Sequence, residues 1–188
     1  MNARAVAIQG GLALLGLTAA YLTWQRQPEL QAGEAFILDI TKNELQKVVF
    51  EDDFNRSRVE LEQAKDENGP YISVLLTRPE ADKSKTAKPV LLRGSEAART
   101  LYERFAPLRA MRALGVLEES KLKDLHLDGP RKSLSITTRS GTRSFDMANP
   151  STGSTDVYLR DKADGRVFII MRSILVDFSN ASTSLIER

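Results

Sequence analysis

The sequence predicts an α+β fold: an N-terminal transmembrane helix followed by antiparallel sheet meanders with two or three short helices. Three observations support this: an uncharged apolar segment near the amino terminus, short stretches that alternate apolar and polar residues, and stretches with helical spacing. Alternation with a period of two indicates strands with one buried face, and apolar residues three or four apart indicate amphipathic helices. Strands followed by helices in this pattern favour an antiparallel sheet with helices packed on one side.

The apolar segment, AVAIQGGLALLGLTAAYLTW at 5–24, contains no charged side chain. Twenty helical residues span about 30 Å, the thickness of the hydrocarbon core of a bilayer. The segment ends in Trp24, which suits the headgroup level of a membrane. We therefore predict that it crosses the membrane once. Representative residues of the predicted span are Ala5, Leu12, Gly16 and Trp24.

Two other interpretations of this segment remain open. A cleaved signal peptide needs small residues at its cleavage site, and Thr18, Ala19 and Ala20 supply them. The apolar run nevertheless continues past Ala20 to Trp24, which favours a permanent anchor. A buried helix of a globular domain is disfavoured because the segment has no polar face. A mature amino terminus at Tyr21 would indicate cleavage.

Localisation follows from the position of the segment. A short basic start before an apolar run usually acts as an uncleaved signal, which leaves the amino terminus in the cytosol and exports the rest. We expect residues 1–4 to be cytoplasmic, 25–33 to be a linker, and 34–188 to form a periplasmic α+β domain of a single-pass inner-membrane protein. The sequence contains no cysteine, which excludes disulfides and thiol chemistry and fits a bacterial envelope protein.

The charge balance bears on the class of partner. The chain has 27 Lys and Arg against 25 Asp and Glu, so the exported part is close to neutral once Arg4 is set aside. A nucleic-acid binder needs a basic face. We therefore expect no nucleic-acid partner.

The front half of the domain predicts a first meander. Asn68-Gly69 is a strong turn signal between two strands, because this pair accepts positive φ at low cost. Thr41 and Glu44 have the spacing of a capping box and predict one brief helical turn. Residues 78–88 are charged, lack periodicity and read as a loop. The predicted strands lie at 35–40, 47–51, 59–63, 71–77 and 89–92.

A longer helix, predicted at 95–108, would join two halves of the domain, 34–93 and 115–180. Ser95 is its expected N-cap, and Pro107 is expected to kink or break it near its end. A second short helix is predicted at 118–125. The expected buried stripe of the first helix consists of Ala97, Leu101, Phe105 and Leu108.

The last third has the clearest pattern. Two hairpins are expected, with turns at Arg139-Ser140-Gly141 and at 161–165, and a closing helix is expected at 173–178. The predicted strands lie at 132–138, 142–147, 156–160 and 166–171.

The sequence LHLDGPRKSLSITTRSGTRSFDM, followed by DVYLRD and GRVFII, resembles the uncharacterised family called domain of unknown function forty-three forty. The front half, with ILDITKNELQKVVFEDD, is similar too, so the resemblance covers nearly the whole chain. Members often carry a Gly-Leu pair where His126-Leu127 stands, and a Gly where Met147-Ala148 stands. The resemblance implies membrane-anchored envelope proteins, often encoded beside ABC transporters of the gliding-motility type.

Few residues offer chemistry. His126 is the sole histidine. A single histidine beside a turn is more often a structural or exposed residue than a general base. The acidic run Glu51-Asp52-Asp53 could bind Ca²⁺, but a charged strand end explains it better. Asp161, at the end of a strand, reads as solvated. The best candidates for an anion, lipid-headgroup or partner contact are four arginines on or just after the longer predicted helix: Arg99, Arg104, Arg109 and Arg112. A solvated helix face is the simpler interpretation of this series.

The sequence shows no phosphate-binding glycine loop, no Cys/His metal cluster and no cofactor motif, so we expect no enzyme activity, no cofactor and no metal. We expect a membrane-anchored accessory or interaction subunit of an envelope assembly, in particular of an ABC transporter complex. Its partners would be the lipid bilayer and subunits of that complex. The alternative is a carrier of lipid or another small ligand, which requires a continuous apolar groove of about 300 Å³ or more.

Overall fold

The computed structural model describes residues 34–77, 89–149 and 156–187, together with 16–18 and 21. The chain divides into two units, Met1–Ala32 and Gly33–Arg188. In the first unit, residues 16–18 and 21 are helical, and Gly16 of the predicted span is exposed. Ala5, Leu12, Trp24 and the predicted linker lie outside the described residues. Among the residues that are described, no helix is long and apolar enough to cross a membrane.

The second unit is built mainly from antiparallel strands. Its described strands are β1 (Ala35–Leu38), β2 (Leu45–Asp52), β3 (Ser57–Asp66), β4 (Gly69–Thr77), β5 (Val90–Arg93), β6 (Leu108–Ala110), β7 (Arg112–Val116), β8 (Lys132–Thr138), β9 (Gly141–Ala148), β10 (Asp156–Asp161) and β11 (Arg166–Met171). Its described helices are α1 (Glu96–Glu103), α2 (Glu119–Asp124), α3 (Arg172–Ser179) and α4 (Ala181–Ser184).

Nine of these strands form one sheet in the order β5-β4-β3-β2-β8-β9-β10-β11-β7. Every pair in it is antiparallel, and the first meander joins the second through the β2–β8 ladder. β1 and β6 form a separate two-stranded ladder in which Ala35 faces Ala110. The predicted α+β class with antiparallel meanders is therefore confirmed.

The hairpin turns form where the sequence predicts them. At the β3–β4 turn, Gly69 has φ +113°, a conformation that suits glycine, and the Asn68 backbone N–H donates to Asp66 Oδ1 at 2.8 Å. Gly165 closes the β10–β11 turn with φ +74°. The registers that result place the apolar residues of neighbouring strands side by side, which gives the sheet one continuous apolar face.

We call this side the core face, because α1, α3 and α4 cover it. Phe178 of α3 stacks on Phe50 of β2 with ring centroids 4.9 Å apart, and it also contacts Phe105 at 6.0 Å. Leu101 of α1 is buried in the same cluster. Strand residues pointing into the cluster include Val48, Val59, Leu61, Val74, Leu134, Ile136, Phe145, Met147, Leu159, Phe168 and Ile170.

On the other side of the sheet, the outer face, α2 is the one described helix that packs against the strands, and it covers one end. Successive strand residues point to opposite faces. Phe168 belongs to the core face, and its neighbour Val167 packs in a second, smaller cluster with Leu122 and Leu127. Farther along this face, polar side chains pair across the strands, as in Ser135 and Ser144, whose Oγ atoms are 3.0 Å apart.

Two helix predictions are wrong in detail. Thr41 to Glu44 forms a turn and no helix, because β2 begins at Leu45 and pairs with β8. The predicted capping-box contact is present within that turn, since the Thr41 N–H donates to Glu44 Oε2 at 2.7 Å. The first long helix ends at Glu103, and turns follow it up to the cis Ala106–Pro107 bond. Proline has no N–H to donate and disfavours the α conformation of the residue before it.

The expected stripe of α1 is also corrected. Ala97 is exposed, and the buried helix residues are Ala98, Leu101 and Tyr102. Phe105 and Leu108 are buried as predicted, but from the turn after α1 and from β6. Neither β6 nor β7 was predicted, because these short strands lack alternation and form only by pairing with β1 and β11.

Candidate functional site

The four arginines proposed as a contact surface do not share one helix face. Arg99 lies on α1, and Arg104 is the C-cap of that helix. Arg109 lies in β6 and Arg112 begins β7. The separation arises because the chain leaves α1 after Glu103 and continues into β6 and β7, so that three different elements carry the four side chains or border them.

The four arginines also differ in how their charges are compensated. Arg104 donates to Asp177 of α3 at 3.0 Å, and Arg99 is 3.8 Å from the Glu96 carboxylate. Arg109 lies over the Phe36 ring at 5.3 Å. Within the described part of the chain, neither Arg109 nor Arg112 forms an ion pair. These two guanidinium groups are therefore the members of the series with charge available for a partner.

His126 has a structural role at the end of α2. Its φ of 57° is left-handed, its N–H donates to the Lys123 carbonyl at 3.0 Å, and the Leu127 N–H donates to the Leu122 carbonyl at 2.8 Å. This pair of hydrogen bonds is a Schellman motif, completed by apolar packing of Leu127 on Leu122. The position favours glycine, the residue that the resembled family often has there. The imidazole is exposed.

Within the acidic run Glu51-Asp52-Asp53, Asp52 stabilises the turn that follows β2. Asp52 is 3% exposed, and its carboxylate accepts hydrogen bonds from the N–H groups of Phe54 at 3.1 Å and Asn55 at 3.2 Å. The Asn55 side-chain amide adds a third at 2.8 Å. Among the described residues, no group of three or more acidic, His or Cys side chains could hold a metal ion.

Asp161 is fully buried, which corrects the expectation that it is solvated. Its carboxylate forms an ion pair with Arg143 and accepts the Ala163 N–H at 2.8 Å. Arg143 also donates to the Ile37 carbonyl at 3.1 Å. Alternation in β10 places Asp161 on the same face as Leu159, so a partner was required there. The pair links β9 and β10 to β1 and has a structural role.

A buried tyrosine lies beneath α1. Burial raises the pKa of Tyr102 to about 12, and the nearby Glu62 carboxylate acts in the same direction. The Tyr102 hydroxyl donates to the Leu45 carbonyl at 2.9 Å. This hydrogen bond fixes α1 to the start of β2, and the hydroxyl stays protonated well above neutral pH.

Three surface clefts of the domain bear on the alternative function of a lipid carrier, which needs a continuous apolar groove. One of about 500 Å³ lies at the start of α1, where Arg93 is paired with Asp66 and Glu187. Another, of about 280 Å³, contains Lys42 and Glu103. A third, of about 420 Å³, lies beside His126. Charged side chains are part of the lining of all three clefts.

The exposed apolar side chains form a feature that the sequence reasoning did not single out. On the outermost strand β5, Val90 is 51% exposed and Leu91 is 66% exposed. Met111 and Met171, near the other edge of the sheet, are 52% and 60% exposed. The uncharged run PVLL at 89–92 and the two Met-Arg pairs were the signals available in the sequence.

Comparison with known proteins adds no relative: no protein-family model, no curated protein and no solved structure matches this chain. The resemblance to domain of unknown function forty-three forty stays a prediction.

Proposed function

We propose that this chain is a non-enzymatic, single-span inner-membrane protein whose periplasmic α+β domain is an accessory subunit of an envelope assembly, in particular of an ABC transporter complex. The uncharged segment at 5–24 supports the anchor, and the resemblance supports the transporter context. The domain supplies a surface to its partner.

The observation that carries the proposal is the exposed apolar edge of β5, which we call the β5 edge (Val90 and Leu91). Edge strands normally protect their unpaired backbone with charge, with bulges or by being covered. Among the described residues, the segment 185–187 covers one end of β5: the Glu187 N–H donates to the Arg93 carbonyl at 3.0 Å, and Gly94 pairs with Ile186. Before Arg93, β5 keeps Val90 and Leu91 in solvent, whereas Leu92 packs against the core cluster.

An exposed strand edge of this kind suits β-augmentation, in which an extended segment of a partner adds to the sheet. That segment would bury the two apolar side chains. Each would favour binding by about 25 cal/mol for every Å² of apolar surface removed from water. The partner segment would therefore be extended and apolar on the side that meets Leu91.

The test is co-purification of the full chain from its native membrane in mild detergent, with quantitative identification of transporter subunits. Subunits of one ABC transporter should be recovered with the chain, and Leu91→Lys should reduce their recovery about tenfold or more. Phe54→Lys is the matched control, because Phe54 is exposed to a similar degree (70%) but lies in the β2–β3 turn.

Recovery of the chain alone, or equal recovery with Leu91→Lys and with wild type, would contradict this function. Absence of the chain from the membrane fraction would contradict its anchor.

A further inference from the structure

We propose that a second surface of the domain, the methionine corner, rests on an anionic phospholipid bilayer. The methionine corner consists of Met111, Met171, Arg109 and Arg112. This inference rests on the proposed membrane anchor and extends it from the N-terminal segment to the domain itself.

The strand register brings the two methionines to one end of the sheet. The Met111 N–H donates to the Ile169 carbonyl at 2.8 Å, two residues before Met171 on the same strand. Arg112 follows Met111 and faces Ile169 across the β7–β11 ladder. Both thioether side chains are more than half exposed. Their backbones lie close together, and each residue carries a large exposed apolar side chain that is suited to shallow insertion into an interface.

The charges beside these methionines suit a bilayer surface. Arg109 and Arg112 flank Met111 in sequence, and neither is in an ion pair within the described residues. Long arginine side chains can lay their apolar stems along a membrane interface while the guanidinium binds phosphate oxygens of the headgroups. Arg104, by contrast, forms an ion pair with Asp177, so we do not count it as part of the methionine corner.

Acidic residues lie nearby as well. Asp156 faces Met171 across the β10–β11 ladder, and Glu34 precedes Ala35, which faces Ala110 beside Met111. They limit the positive charge of the corner. We therefore expect contact through shallow insertion of the methionines with support from the two arginines, and a moderate dependence on anionic lipid.

The corner also lies where the chain enters the domain. β1 begins at Ala35, which pairs with Ala110, the residue before Met111. The predicted membrane span precedes β1 in the sequence. Within the domain, the methionine corner therefore lies beside the first described strand, whereas the β5 edge lies on the opposite outermost strand of the sheet.

The absence of cysteine makes the test direct. The full chain carrying Met111→Cys, labelled with an environment-sensitive fluorophore, is reconstituted in vesicles of phosphatidylcholine alone or with about one third phosphatidylglycerol. Lipids with a quencher in the acyl chain report insertion. Phe54→Cys is the control site, because it is comparably exposed but lies in the β2–β3 turn.

We expect quenching at position 111 to exceed that at position 54 at least threefold and to increase with phosphatidylglycerol. Arg109→Gln with Arg112→Gln should remove most of that increase. Met171→Cys provides a second probe if the first variant does not fold.

Vesicle flotation separates the two proposals. If the chain fails to float with the vesicles, the anchor itself is wrong. If it floats while the probes at 111 and 171 are quenched no more than the probe at 54, the methionine corner does not contact lipid. Crosslinking from position 111 to another protein in native membranes, without lipid quenching, would likewise overturn the inference and assign the corner to a protein partner.

Discussion

The two faces of the nine-stranded sheet are formed by the same strands but differ in what covers them. On the core face, three helices bury an aromatic cluster around Phe178. On the outer face, α2 buries a small cluster around Leu122, and much of the rest carries serine, threonine and charged side chains. The difference separates the parts of the domain that determine stability from the parts that remain available for contacts.

The largest expected effect tests the core face directly. Phe178→Ala removes a ring that contacts both Phe50 and Phe105, so it should lower the free energy of unfolding by about 3–5 kcal/mol. Leu122→Ala, a truncation in the smaller cluster of the outer face, should cost about 2 kcal/mol. Denaturant unfolding of the full chain in mild detergent, followed by circular dichroism, measures both. Equal losses of unfolding free energy in the two variants would contradict the view that the core face determines most of the stability.

A second prediction concerns the buried hydroxyl of the core face. The pKa of Tyr102 is raised from 10.0 to about 12, so its ionisation is harder in the folded state than in the unfolded state. The stabilisation that comes from keeping the Tyr102 hydroxyl protonated is fully present below pH 10 and is lost as the pH rises from 10 to 12. This loss lowers the free energy of unfolding by roughly 2 kcal/mol. Tyr102→Phe should therefore flatten the decline of stability over this window.

At neutral pH the same variant should be about 1 kcal/mol less stable than wild type, because the Leu45 carbonyl loses its donor. Unfolding free energies of the two proteins at pH 8, 10 and 11.5 give the comparison. A parallel decline in both would show that other groups control the alkaline loss.

The smallest expected effect is on the outer face. His126→Gly should raise the free energy of unfolding by about 0.5–1 kcal/mol, because glycine adopts the left-handed conformation of the Schellman motif without strain. His126→Val should lower it by a similar or larger amount, since β-branching is unfavourable there. Thermal unfolding of the two variants provides the measurement. A loss of stability in the glycine variant would indicate that the imidazole itself makes a stabilising contact.

Much of the fold could be predicted from the sequence because local signals and tertiary contacts agree. Asn68-Gly69 determines a turn by backbone conformation alone, and the alternation in 132–138 predicts the strand that forms at Lys132–Thr138. The Ser95 cap is confirmed, with its side chain accepting from the Ala98 N–H at 3.4 Å. At Thr41–Glu44 the local capping spacing favoured a helix, but the pairing of the following strand β2 with β8 determined the structure.

The candidate site was less predictable, since it depends on neighbours that are distant in sequence. The sequence places Arg109 and Arg112 in one series with the arginines of the predicted helix, but these two lie in β6 and β7, which form by pairing with β1 and β11. The burial of Asp161 depends on Arg143 from another strand. The exposure of Leu91 reflects its place on the last strand of the sheet, which no local pattern encodes.

The ladder between β2 and β8 has a consequence for how the protein folds. It pairs residues 45–52 with residues 132–138, whereas the β3–β4 and β8–β9 hairpins pair residues close in sequence. Hairpins form in about 1–10 μs, but closing the chain between β2 and β8 costs entropy before any contact repays it. We therefore expect two meanders to form early and their joining to limit the folding rate, which leaves the inner edges of both briefly unpaired during synthesis.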